Sequence, residues 1–271
     1  MRKPLAVAAV AAISSVSVIG LAGPATAAET ANVAIFHGVP GLDVDVYANG
    51  NKLLDNFTPG TLVEDQTLPA GSYDLQVFPA DAADNSGTPA IEASGVQVPA
   101  GADATVVAHL TAEGAPTLTL FANDTSEVAA GQARVSVRHT AAAPPVDVLA
   151  GGSPVFTALA NPAETSAVVP AGALADVSVA LAGTTAPVLG PTTLDLGEGT
   201  NTVVYAWGSA ADGNLALATQ TLSGLGSAPG AVPAGEVGLA EDGLPGWALG
   251  LMAAAALGVA VSARRLSAAS R

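Results

Sequence analysis

Three histidines and a scatter of carboxylates carry most of the reactive side-chain chemistry in this sequence. His37 precedes Asp45 by eight residues, and His139 precedes Asp147 by the same eight. A His held by an Asp is how a general base is oriented, but such a pair needs a nucleophile to activate. No Gly-x-Ser-x-Gly turn supplies one. With no cysteine there is no thiolate nucleophile, no disulfide and no thiolate-ligated metal. The competing reading is a framework role, in which each imidazole fixes its loop by bonding to the Asp or to backbone. Duplication favours the framework, since both copies keep it. His37, Asp45, His139 and Asp147 are therefore expected to be repeat framework, and no catalytic residue is expected.

Other ligand sets are thinner. The three histidines are not spaced as a pair on one strand or helix, which argues against zinc. Calcium takes hard oxygen ligands on flexible loops. Asp43 and Asp45 would share one strand face, and Asp81, Asp84 and Asn85 crowd one loop. These five are calcium candidates against the reading of solvated loop acids, because no twelve-residue ligand pattern accompanies them. His109 reads as a lone strand histidine, aligned with Ala206. Tyr205 and Trp207 could stack on sugar rings if exposed, and are core if buried. No cofactor is expected.

The elements that must position these residues come twice. Val33 to Gly50 and Val135 to Gly152 both read as strand, His, a small-residue loop with Pro, a short Val-Asp-Val strand and a tight turn. A repeat fixes domain number before anything else. Residues 31–130 form the first unit and 131–223 the second. Asn49-Gly50 marks a hairpin. Pro69-Ala70-Gly71 and Pro170-Ala171-Gly172 mark matching turns, and Thr105 to Ala108 aligns with Thr202 to Tyr205. Seven or eight short alternating strands per unit, broken by Gly and Pro, predict an all-β chain of two tandem β-sandwiches, immunoglobulin- or transthyretin-like. The short link, 124–132, predicts limited hinge freedom.

The ends carry different signals. Residues 1–28 have a basic start, an apolar run and Ala25-Thr26-Ala27, the pattern of a secretory signal peptide. Residues 224–243 read as a Gly/Ala/Pro spacer. Residues 244–263 hold no charge and are long enough to cross a bilayer as a helix. The tail 264–271 begins with Arg264-Arg265, which would keep it cytoplasmic. The predicted location is the extracellular face of the cell envelope, with the membrane as partner through a single span. The chain between these ends is acidic: all 23 Asp and Glu face only Lys52, Arg134 and Arg138, a net −20. That field excludes nucleic acid and anionic headgroups as partners.

The His-loop-Val-Asp-Val openings resemble a known family, the domain of unknown function 4397, common in secreted bacterial proteins and often in tandem. His139 to Val148 is the closer match; the first copy has Gly41-Leu42 where a Pro-containing stretch is usual. The resemblance spans roughly 32–222 and implies fold and location, not a reaction. Leu239-Ala240-Glu241-Asp242-Gly243, followed by the apolar span and two arginines, resembles a sortase sorting signal, with Asp242 where the cleaved Thr would stand. It implies peptidoglycan linkage as an alternative to a plain membrane anchor. The expected function is a non-enzymatic envelope surface protein, structural or adhesive, with a protein or glycan ligand. A carbohydrate- or calcium-binding module is the second reading and a hydrolase the third.

Overall fold

The computed structural model describes residues 29–82 and 84–227. Among them the regular structure is all strand. The first eight strands are β1 (Thr30–His37), β2 (Val44–Ala48), β3 (Asn51–Phe57), β4 (Leu62–Pro69), β5 (Gly71–Pro79), β6 (Ile91–Val98), β7 (Asp103–Leu110) and β8 (Pro116–Ala122). They form two four-stranded sheets, ordered β4-β1-β7-β8 and β3-β2-β5-β6. Val33, Ile35 and Val106 from one sheet meet Val44, Val46 and Val77 from the other in a single core. Alternation makes this possible, because every second side chain of a strand points to the same face.

The next eight repeat the plan: β9 (Gln132–Ala142), β10 (Val146–Ala150), β11 (Ser153–Leu159), β12 (Ala163–Pro170), β13 (Gly172–Leu181), β14 (Pro187–Leu196), β15 (Asn201–Ser209) and β16 (Ala216–Leu222). Their sheets are ordered β12-β9-β15-β16 and β11-β10-β13-β14, the same orders as in the first half. Val135, Val137, Val148, Val179 and Val204 fill the second core. In both halves the opening strand pairs parallel with the seventh, His37 opposite Ala108 and His139 opposite Ala206.

That pairing corrects one alignment made from the sequence. Ala108 corresponds to Ala206, so Thr105-Val106-Val107-Ala108 matches Val203-Val204-Tyr205-Ala206, and the counterpart of His109 is Trp207 rather than Ala206. Both strands contain Thr-Val-Val, which invites a slip of one residue. The slip would send every side chain to the wrong face. In the true register Val106 and Val204 both enter the sandwich cores, while Val107 and Tyr205 both face outward.

The outward faces of β1/β7 and β9/β15 are not exposed; they pack on each other. Phe36, Val107 and Phe121 of the first half meet Val203 and Tyr205 of the second in a third apolar cluster. The four sheets thus stack in four layers, and the described residues up to Leu225 form one compact unit. The connection is stapled down as well. Arg134 pairs with Asp124 at 3.1 Å and donates to the carbonyl of Ser126 at 3.0 Å, while Val128 N–H donates to Leu225 O at 2.7 Å.

The signal-peptide segment, spacer, apolar span, tail and Leu239–Gly243 lie outside the described residues. No helix among the described residues is long and apolar enough to cross a membrane.

Candidate functional site

Each His closes its own loop. His37 Nε2 lies 2.8 Å from Leu42 O, and Nδ1 lies 3.4 Å from Val39 N–H. His139 repeats this, with Nε2 3.1 Å from Pro144 O and Nδ1 3.4 Å from Ala141 N–H. A carbonyl can only accept and an amide N–H can only donate, so both rings are neutral Nε2–H tautomers. Burial holds both imidazoles below the usual His range. The strand ends deliver the ring and the Pro-containing loop folds back over it.

The aspartates do a different job. Asp45, 2% exposed, accepts from Asn56 N–H at 2.9 Å and pairs with Lys52 at 2.7 Å. Asp147 accepts from Ala158 N–H at 2.8 Å and from Gly183 N–H at 2.8 Å. Both therefore catch an amide eleven residues downstream, at the irregular end of β3 and of β11, where Asn56 and Ala158 adopt left-handed φ of 50° and 52°. In neither copy is the Asp the hydrogen-bond partner of the His.

His109 is fully buried, with Nδ1 2.8 Å from Leu110 O and Nε2 2.8 Å from Thr119 Oγ1. It is a neutral Nδ1–H tautomer accepting from the hydroxyl, and burial again lowers its pKa, with His139 adding to the effect. All three imidazoles thus spend both nitrogens on the fold.

The calcium candidates do not converge. Asp43 is exposed, while Asp45 turns inward to Lys52. Asp84 accepts from Ser86 N–H at 2.9 Å, and Asn85 Nδ2 donates to Gly50 O at 3.2 Å; Asp81 is exposed. Among the described residues no three His, Cys, Asp or Glu gather as a metal cluster.

Tyr205 and Trp207 belong to the junction between the halves. Tyr205 is fully buried, 4.8 Å from the Phe36 ring, and Trp207 stands edge-on to Phe36 at 6.1 Å. Trp207 also lies over Gly60, where an added Cβ would come within 2.9 Å of the indole. Around Tyr205 a polar network is sealed in. Arg138, 1% exposed, pairs with Glu164 through Nε, donates from Nη1 to Tyr205 Oη at 2.7 Å and from Nη2 to Asn123 Oδ1 at 2.9 Å, and stacks 4.6 Å from the Phe121 ring. Tyr205 Oη donates to Gln220 Oε1 at 2.6 Å. Asn123 and Phe121 come from the first half, Arg138 and Gln220 from the second. Sequence reading missed this network; two Arg, Arg134 and Arg138, in one alternating strand of an Arg-poor, acidic chain were its available signal.

An apolar recess is left open. It holds about 380 Å³ at the His139 end of the second sandwich, between Ala143, Val179, Leu181, Leu189, Ala206 and Leu215. Leu181 at its lip is 40% exposed. The chain leaves the sandwich at the other end, where Leu225 N–H donates to Gly199 O.

No curated protein matches the chain. A solved structure of a candidate cell adhesion protein from Bacteroides ovatus aligns at 10% identity and a TM-score of 0.21, covering 71% of this chain and 97% of that one. A likeness that slight carries no argument about fold or role. Residues 31–149, the first sandwich together with β9 and most of β10, match the model of the family described as Domain of unknown function (DUF4397).

Proposed function

We propose that this chain is a non-enzymatic surface module of the cell envelope, a rigid double sandwich displayed outward for a structural or adhesive role. One observation carries the reading: every imidazole, in both copies, has both ring nitrogens engaged by the fold. A general base needs a free lone pair within reach of its proton. The acidic body and the leader-like and apolar end segments of the sequence support display outside the membrane. Fractionation followed by muramidase digestion of walls and mass measurement tests it. Detergent-released protein that retains Arg271 is expected. A wall-released species ending at Asp242 with a peptidoglycan fragment would replace the anchor by covalent linkage, and protein found only in the cytoplasm would end the reading.

A second reading, a ligand-binding module, is favoured by the recess. Its apolar walls suit a small uncharged ligand of hydrocarbon character. Methyl resonances of Val179, Leu181 and Leu189 that shift saturably with 1-hexanol would support it, and unmoved resonances would refute it.

A further inference from the structure

Strand β12 is the outer strand of its sheet, and among the described residues nothing pairs with its free side. Its counterpart in the first half is β4. Edge strands present unpaired N–H and C=O groups, and proteins blunt them with charges and bulges. Strand β4 is blunted in both ways. It carries Glu64 and Asp65, its pairing with β1 shifts register between Val33 and Ile35, and Asp65 takes a left-handed φ of 57°. Strand β12 has neither device over most of its length. Its eight residues pair with β9 without a shift, from Ala163 opposite His139 to Pro170 opposite Gln132. The lone charge, Glu164, is occupied by buried Arg138. Thr165 to Pro170 is uncharged, and Val168 is 47% exposed on it.

The surroundings are equally bare. Between Asp147 and Asp176, Glu164 is the sole charged residue. The matching stretch of the first half, between Asp45 and Asp74, holds Lys52, Asp55, Glu64 and Asp65. Residues 30–225 as a whole set 19 carboxylates against three basic side chains. Two such bodies repel one another wherever their acids face each other. They can approach at an uncharged strip that also offers open backbone groups.

We infer that β12 is a self-pairing edge, on which a second copy of this chain adds its own β12 antiparallel. With the two-fold axis at Ser166, Thr165 stands opposite Ala167 of the second copy and Glu164 opposite Val168, so no two carboxylates meet. The sheet β12-β9-β15-β16 then continues through eight strands across two molecules. Backbone hydrogen bonds hold the contact, as in other strand-addition interfaces. The inference deepens the surface-module reading by naming a partner, another copy, and rests on it only for the setting. Its test reads self-association alone, so its failure leaves that reading standing.

The test uses the full-length protein in nonionic detergent, with its mass followed by light scattering against concentration. Wild type is expected to reach twice the protomer mass, and Val168→Glu, which sets a second carboxylate against Glu164 of the other copy, to weaken that association at least tenfold. Thr67→Glu, at the matching position of β4, should change nothing. Because the chain has no cysteine, Ser166→Cys gives a second readout that does not rely on disrupting the edge: oxidation should link two copies, while Thr67→Cys should not. A monomeric wild type, or a Val168→Glu protein that associates as wild type does, overturns the inference. So does a foreign extended peptide bound at β12 of a monomeric chain.

Discussion

Phe36 and Arg138 occupy the same place in the two copies, one residue before the framework His on the outward face of the opening strand. Val107 and Tyr205 match in the same way, and so do His109 and Trp207. The first sandwich brings Phe36, Val107 and Phe121 to the junction; the second brings Arg138, Tyr205 and Gln220. Two equivalent faces meet, yet the first is mainly apolar, with Thr105 and Asn123 as its polar contacts, and the second carries the buried guanidinium and phenol. Two copies of the second face would bury two guanidiniums against each other, and a buried charge is tolerated only when paired. The difference fixes which face meets which.

The strongest way to break this arrangement is at Arg138. Its removal leaves buried Asn123 and Tyr205 without their shared donor and strips the Glu164 carboxylate, at the solvent edge, of its partner. Removing one partner of a buried pair costs about 3–5 kcal/mol. Arg138→Ala is expected to lose that much in denaturant unfolding. Phe36→Ala, at the equivalent site, should lose a similar 3–5 kcal/mol through a cavity. Both changes strike the same junction, so the double variant should lose less than the two single losses added together. Strict additivity would show that the halves unfold as separate bodies.

Gly60 sharpens the comparison at a smaller scale. It has a φ of 79°, and an added Cβ would stand 2.9 Å from the Trp207 indole. Gly60→Ala should cost about 1–3 kcal/mol from overpacking, with backbone strain added. Gly41, also at positive φ but with open space around its would-be Cβ, isolates the strain component. Gly41→Ala is therefore expected to cost less than Gly60→Ala. Equal losses would mean that the indole does not seat against Gly60.

Much of the fold was legible in the sequence because its signals are local and strict. Val-Asp-Val alternation, Asn-Gly and Pro-Ala-Gly turns and the repeated His fix strands and their number from near neighbours. The junction was not legible. A polar residue alternating with valines reads as solvent-facing, and only the packing of a second sandwich turns Ser136, Arg138 and Thr140 into interior residues. The register of β15 failed for a related reason: Thr-Val-Val fits two registers, and the choice depends on which faces are buried. The roles of Asp45 and Asp147 were half legible. Their spacing announced a conserved geometry within the chain, but their partners are amides eleven residues on, set by the irregular ends of β3 and β11 rather than by any motif.

The histidines test how far the two copies act alike. Burial lowers the pKa of His37, His109 and His139. A group whose pKa falls on folding stabilises the native state while both states are neutral, above the unfolded value of about 6.5, and that contribution is lost as pH falls below it. In the two framework rings a second proton would sit on Nδ1, pointing at the N–H of Val39 or Ala141, donor against donor. Unfolding free energy should therefore be flat between pH 7 and 8 and decline through pH 6 and 5. His37→Gln and His139→Gln should each remove part of that slope, by similar amounts if the copies are equivalent. His109→Gln should remove its own share, because that ring titrates at the junction, where β7 meets β9. Retention of the full slope in all three variants would assign the acid sensitivity to the carboxylates instead.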